Sequence, residues 1–125
     1  FIQALDKLRT VSNISGKPLA VIESLKTILK DLTRPSDIMT SLEATINQLL
    51  NYVQKDINIE VDLGYVRGIS YYTGIIFDFN IKGTSVCGGG RYDDLVQILG
   101  GPSTPAVGFA YDIESILNLK QQRDR

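Results

Sequence analysis

Residues 75–91 read Ile75-Ile76-Phe77-Asp78-Phe79-Asn80-Ile81-Lys82-Gly83-Thr84-Ser85-Val86-Cys87-Gly88-Gly89-Gly90-Arg91. The first seven are rich in aromatic and β-branched side chains, which predicts a strand over 75–81. Lys82-Gly83 supplies the turn, and Thr84–Cys87 returns as a short strand. Gly88–Gly90 leave two readings open. They make either a tight strand-to-helix turn or an open floor where a ligand approaches the backbone and an anion meets its N–H groups. The run matches neither the dinucleotide fingerprint nor the phosphate-loop pattern, which ends in Lys-Ser or Lys-Thr.

Downstream, a helix is expected from Arg91 or Tyr92, with Asp93 and Asp94 in its first turn, stopping at Gly100-Gly101-Pro102. Pro105–Ala110 reads as a final strand. Ile113, Ile116 and Leu117 open a last helix, and the polar run Gln121–Arg125 is expected to fray. Upstream, Ile57, Ile59 and Val61 alternate with Asn58, Glu60 and Asp62, the pattern of a half-buried strand.

Residues 1–56 carry helical spacing instead. Phe1, Ile2, Leu5, Leu8 and Val11 share one side before a break over Ser12–Gly16. Pro18 suits the first turn of a second helix, where its missing N–H costs nothing. Leu19, Ile22, Leu25, Ile28, Leu29 and Leu32 form its apolar stripe, and Arg34-Pro35 ends it. Ser36 or Asp37 is placed to cap a third helix, whose buried face is expected to be Ile38, Leu42, Ile46, Leu49, Leu50 and Val53. Three helices followed by a hairpin-bearing antiparallel sheet with further helices make the fold class α+β. The period changes after Asp56, dividing the chain into a helical segment, 1–56, and a sheet region, 57–125.

The chain has 125 residues, a formal net charge of -1, one cysteine and no histidine. That is enough for one compact core. The charge gives no general reason to expect a nucleic-acid or acidic-membrane surface. Without histidine there is no imidazole catalysis, no zinc constellation is recognisable, and Cys87 reads as a core thiol. No stretch approaches a membrane span, and a cytoplasmic protein without membrane partners is expected. The helical start without an initiator Met suggests a piece of a larger protein.

Arg67-Gly68 followed by Tyr71-Tyr72-Thr73-Gly74 is the richest local cluster. An arginine fork holds a carboxylate or phosphate through two bonds, and tyrosines offer a flat face and a hydroxyl to a small polar ligand. If these residues form a strand, Tyr71 and Tyr72 point to opposite faces. The same residues also suit an ordinary turn with an exposed arginine. Arg91-Tyr92-Asp93 repeats the ingredients beside the glycines. The remaining acids are scattered, with no carboxylate pair for acid–base work.

Three stretches together carry a family resemblance. Val66–Phe77 resembles the histidine-specific signature of histidyl-tRNA synthetases. Cys87–Leu95 is similar to the glycine-rich strand and helix that follow it there. Pro105–Ala110 with Ile113-Glu114 resembles the opening of class II motif 3, and Ala4–Leu8 resembles the segment before the family's small helical insertion. The resemblance implies the carboxy-terminal half of a class II synthetase-like core over 57–125, preceded by an insertion-like helical region. Motifs 1 and 2 do not occur in these residues. It further implies that Arg67 lies by the carboxylate of a histidine ligand and the α-phosphate of ATP. Tyr71, Tyr72 and Tyr92 are implied on the histidine side, Gly88 and Gly89 as the floor, and Gly108 toward ATP.

Two departures shape the functional expectation. Ser70 stands where the family has an acid or amide, and Ser115 stands where motif 3 has its ATP-clamping arginine. A hydroxyl cannot replace a guanidinium that both pairs with phosphate and stacks on a base. The pattern therefore resembles the non-catalytic, histidine-sensing regulatory subunit of ATP phosphoribosyltransferase in histidine biosynthesis. That reading implies its catalytic subunit as partner, a homodimer in the intact protein and no cofactor on this stretch. The alternative is a histidine–tRNA ligase, which adds ATP, Mg2+ and tRNA.

Overall fold

The computed structural model describes residues 2–30, 37–68 and 70–123, with side chains omitted at 2–4, 37 and 38. The expected roles of Phe1, Leu32, Arg34-Pro35, Ser36, Asp124 and Arg125, and of the side chains of Ile2, Asp37 and Ile38, lie outside what is described. The chain separates into two compact units, Phe1–Val66 and Arg67–Arg125.

The first unit contains α1 (Ile2–Ser12), β1 (Ser15–Gly16), α2 (Pro18–Leu29), α3 (Asp37–Tyr52) and β2 (Val61–Asp62). Pro18 does open α2. The buried core is Val21, Ile22 and Leu25 of α2 with Ile46 of α3, each contributing about 1.5–3 kcal/mol on removal from water. The expected stripe was misplaced at its start: Leu19 is 60% exposed, whereas Val21, two positions on, is 1% exposed. Leu5, Leu8, Leu49 and Leu50 are also exposed. A Lys26–Glu43 ion pair at 2.7 Å joins α2 to α3 at the surface. Of the strand expected over 57–62, only Val61–Asp62 forms, and it pairs antiparallel with Ser15–Gly16. That pairing ties the residues after Asp56 back to the helical part. Gly64 is required there because a Cβ would meet the Ser12 carbonyl.

The second unit contains β3 (Ile76–Ile81), β4 (Thr84–Arg91), α4 (Leu95–Ile98), β5 (Val107–Tyr111) and α5 (Ile113–Arg123). The strands form one antiparallel sheet in the order β3-β4-β5. The hairpin closes as expected: Lys82 and Gly83 have φ of 51° and 81°, the two left-handed residues of a two-residue turn that matches strand twist. The expected helix from Arg91 or Tyr92 begins only at Leu95, because β4 continues through Arg91. Arg91 still donates its N–H to the Ile75 carbonyl, and Tyr92 to Ala106. The short α4 ends as expected at the glycines. Gly100 adopts φ 89°, and the N–H groups of Gly100 and Gly101 close on the Gln97 and Val96 carbonyls. The fold is α+β, with an antiparallel sheet, flanking helices and a preceding helical region. No helix among the described residues is long and apolar enough to cross a membrane.

Candidate functional site

Gly88–Gly90 do not make a turn. They lie in the middle of β4, buried and extended, and none has a positive φ. Space, not conformational freedom, demands them. Gly88 pairs with Asp78 and Ala110, and Gly90 with Ile76 and Gly108, so these residues share one face of the sheet. A Cβ on Gly88 would strike the Arg67 guanidinium, and one on Gly108 would strike the Tyr92 hydroxyl. On Gly90 it would come 2.8 Å from the Tyr72 ring. The strand thus offers a bare floor, and the side chains of Arg67, Tyr72 and Tyr92 lie directly on it.

Gly89 does not belong to that floor. Alternation turns it to the other side, where a Cβ would meet the backbone of Gly108 and Phe109. Gly90 takes the place that sequence reading gave to Gly89.

The segment 71–74 forms no strand, so Tyr71 and Tyr72 are not sent to opposite faces. It is tied to the end of β4 by the Thr73 N–H on the Arg91 carbonyl and the Asp93 N–H on the Thr73 hydroxyl, both 2.9 Å. With the backbone so held, the two rings converge on Tyr92. Ring centroids are 4.8 Å apart for Tyr71–Tyr72, 5.5 Å for Tyr71–Tyr92 and 6.3 Å for Tyr72–Tyr92. These tilted and edge-on geometries suit aromatic quadrupoles. The Tyr71 hydroxyl is held above the ordinary tyrosine range, first by its hydrogen bond with Tyr72, then by partial desolvation and by Tyr72 and Tyr92; nearby Arg67 pulls the other way.

Arg67 approaches the floor from the first residue of the second unit. Its Nη1 donates to Asp78 Oδ1 at 3.0 Å and to the Phe77 carbonyl at 3.4 Å. Asp78 was not singled out by sequence reading. The alternation of 75–81 places it on one sheet face, but its bond to a residue eleven positions earlier has no local signal. Arg91 turns instead to Asp93, with Nε 2.9 Å from both carboxylate oxygens, a pairing that holds the guanidinium more firmly protonated. Asp93 is therefore an ion-pair partner ahead of α4.

Ser115 has a definite local role. Asp112 caps α5: its Oδ1 accepts the Ser115 N–H at 3.0 Å, and its Oδ2 accepts the Ser115 hydroxyl at 2.7 Å. These bonds, the backbone one first, hold the Asp112 carboxyl below its ordinary range. Gly108 lies on the same sheet face as Gly88 and Gly90, beneath Tyr92.

A separate groove of about 550 Å³ lies in the first unit, between the start of α2 and the residues after α3. None of the candidate site residues lines it. Among the described residues no group of three or more His, Cys, Asp or Glu side chains is arranged to hold a metal ion.

A family model described as histidyl-tRNA synthetase matches residues 2–116. The histidine–tRNA ligase of Methanocaldococcus jannaschii is 42% identical over 99 residues, covering 78% of this chain and 23% of that protein. The Pyrococcus furiosus histidine–tRNA ligase is 37% identical over 123 residues, 95% of this chain and 28% of that one. The chain thus spans about a quarter of the length of these curated relatives. Among solved structures, a histidine–tRNA ligase subunit from Alicyclobacillus acidocaldarius superposes with a TM-score of 0.72 at 25% identity, over 94% of this chain and 39% of that one. The α+β fold is accordingly of the class II synthetase type.

These matches overturn the expectation of a non-catalytic regulatory subunit of ATP phosphoribosyltransferase, and with it the place in histidine biosynthesis. The matching family is that of the synthetases, and the relatives described above carry the ligase name. The error has a physical source. Ser115 stands for one lost ATP contact, and one absent side chain does not define a protein's chemistry. In this structure Ser115 is accounted for by the cap of α5.

Proposed function

The chain belongs to the histidyl-tRNA synthetase family, and we propose that it supplies the histidine-binding part of a histidine–tRNA ligase, which activates histidine with ATP and transfers it to tRNA in the cytoplasm. One observation carries this reading: Arg67 lies on the bare floor at Gly88, beside three converging tyrosines over Gly90 and Gly108. An amino acid needs a cation for its carboxylate and an aromatic wall for an imidazole, and this face offers both.

In the proposed reaction the histidine carboxylate attacks the α-phosphorus of ATP and pyrophosphate leaves. Negative charge concentrates between the carboxylate and the α-phosphate, where a guanidinium stabilises it. Arg67 is assigned that role. Tyr72 and Tyr92 are assigned to the imidazole, with Tyr71 packed behind them. Gly88, Gly90 and Gly108 let the ligand reach the sheet. Mg2+ would enter with ATP, and no residue here is assigned as its ligand.

The test is histidine-dependent exchange of pyrophosphate into ATP by the full-length protein that contains this chain. Robust exchange that falls at least about 100-fold in Arg67→Ala is expected, the loss typical of removing a donor aimed at developing charge. Absence of exchange in the unaltered protein would refute the ligase reading.

A further inference from the structure

The pairing of β3 with β4 is irregular at one point. Phe79 pairs with Cys87 but Asn80 pairs with Ser85, so Val86 is one residue too many on β4. An extra residue reverses the face taken by every side chain beyond it. Ser85, three positions from Gly88, is thereby brought to the face of Gly88 and Asp78. Its hydroxyl donates to Asp78 Oδ1 at 2.7 Å, the same oxygen that receives Arg67 Nη1 at 3.0 Å. Asn80 Nδ2 stands 3.4 Å from Asp78 Oδ2. The Asp78 side chain is 16% exposed and that of Arg67 27%, so the pair is partly withdrawn from water.

We propose that Asp78, fixed by Ser85 across the Val86 bulge, is the positioning residue for Arg67. It anchors the guanidinium by one nitrogen over Gly88 and leaves the rest of the fork to the carboxylate and phosphate of the ligand. The inference rests on the reading that Arg67 meets the ligand.

The physical case has three parts. A free arginine side chain samples many rotamers, and each must be excluded when substrate binds. A guanidinium has five N–H donors, and Asp78 with the Phe77 carbonyl engages only Nη1. Asp78 would itself be free to swing without a second tether, and the Ser85 hydroxyl on its bonding oxygen supplies one. The bulge is what makes that tether possible, because regular pairing would have turned Ser85 to the opposite face.

The experiment uses the full-length protein and reads kcat and KM for histidine in pyrophosphate exchange, with thermal midpoints alongside. Asp78→Asn keeps the shape and removes the charge. It is expected to lower kcat/KM about 100-fold, the scale of an ångström's misplacement at a reacting centre. Ser85→Ala is expected to lower it about 10-fold, the scale of one lost hydrogen bond. Ser85→Thr, which keeps the hydroxyl, restores the rate. In an Arg67→Lys background, which has no fork to position, adding Asp78→Asn causes no further loss.

Parent-like rates in both Asp78→Asn and Ser85→Ala, with Arg67→Ala inactive, overturn the positioning role and leave the site reading intact. Fully additive losses in the Arg67→Lys background also overturn it. A parent-like Arg67→Ala overturns the site reading itself. If Asp78→Asn does not fold, the Ser85→Ala and Ser85→Thr pair decides alone, since a rate unchanged by either defeats the proposal.

Discussion

The two faces of β4 differ although they are made by neighbouring residues of one strand. On the side of Gly88 and Gly90 these two positions carry no side chain, and Arg67, Tyr72 and Tyr92 stand over them from flanking loops. On the side of Cys87 and Gly89, adjoining strands contribute Phe77, Phe79, Phe109 and Tyr111. Phe77 meets Phe79 edge-on at 5.7 Å, and Phe109 meets Tyr111 at 5.4 Å. The first face is organised by hydrogen bonds and an ion pair, the second by ring contacts. Alternation alone lets one strand carry a polar cluster on one side and an aromatic layer on the other.

That contrast is open to direct attack by the same substitution at adjacent positions. Gly88→Ala places a methyl group against the tip of Arg67, a flexible group that moves aside without disturbing the sheet. Histidine-dependent exchange is therefore expected to fall about 100-fold while the melting temperature changes little. Gly89→Ala meets the backbone of β5, which cannot move aside. Stability is expected to fall by about 1–3 kcal/mol in a denaturant titration, the range for overpacking. If the two substitutions gave the same ratio of activity loss to stability loss, the division into two faces would fail.

A smaller effect tests the aromatic side by itself. Phe109 is 61% exposed, so Phe109→Ala in the 125-residue chain is expected to cost about 0.5–1.5 kcal/mol, the value of a ring contact. A much larger loss in chemical denaturation would mean that this face bears more of the fold than its exposure indicates.

The smallest effect belongs to the cap of α5. Ser115 and then the Glu114 N–H favour the ionised Asp112, lowering its pKa in the folded chain. A lowered carboxyl contributes stability that is present above its unfolded pKa and is lost as pH falls through the folded value. Asp112→Asn retains a capping side chain but removes this titration. Circular dichroism melts between about pH 5 and pH 2 should therefore show a slightly shallower loss of stability in the variant.

The hairpin at Lys82-Gly83, the stop of α4 at Gly100 and the start of α2 at Pro18 were legible because each depends on φ or on one missing N–H. The placement of Tyr71 and Tyr72 was not. It depends on hydrogen bonds from Thr73 to Arg91 and from Asp93 to Thr73, across eighteen and twenty positions of chain. Leu19 was misplaced because a stripe at three- and four-residue steps does not say where its edge falls.

The sequence by itself determined the α+β class and the cluster of Arg67, tyrosines and glycines, because composition, period and motif order are properties of the chain alone; its reading as a regulatory subunit, which rested on Ser115, was overturned. Tertiary structure decided which glycine faces the tyrosines, Gly90 rather than Gly89, and brought Asp78 and Ser85 to Arg67. The reason is register: strand partners and a single bulged residue set the face of every side chain, and the bulge at Val86 exists only as a mismatch between two paired strands.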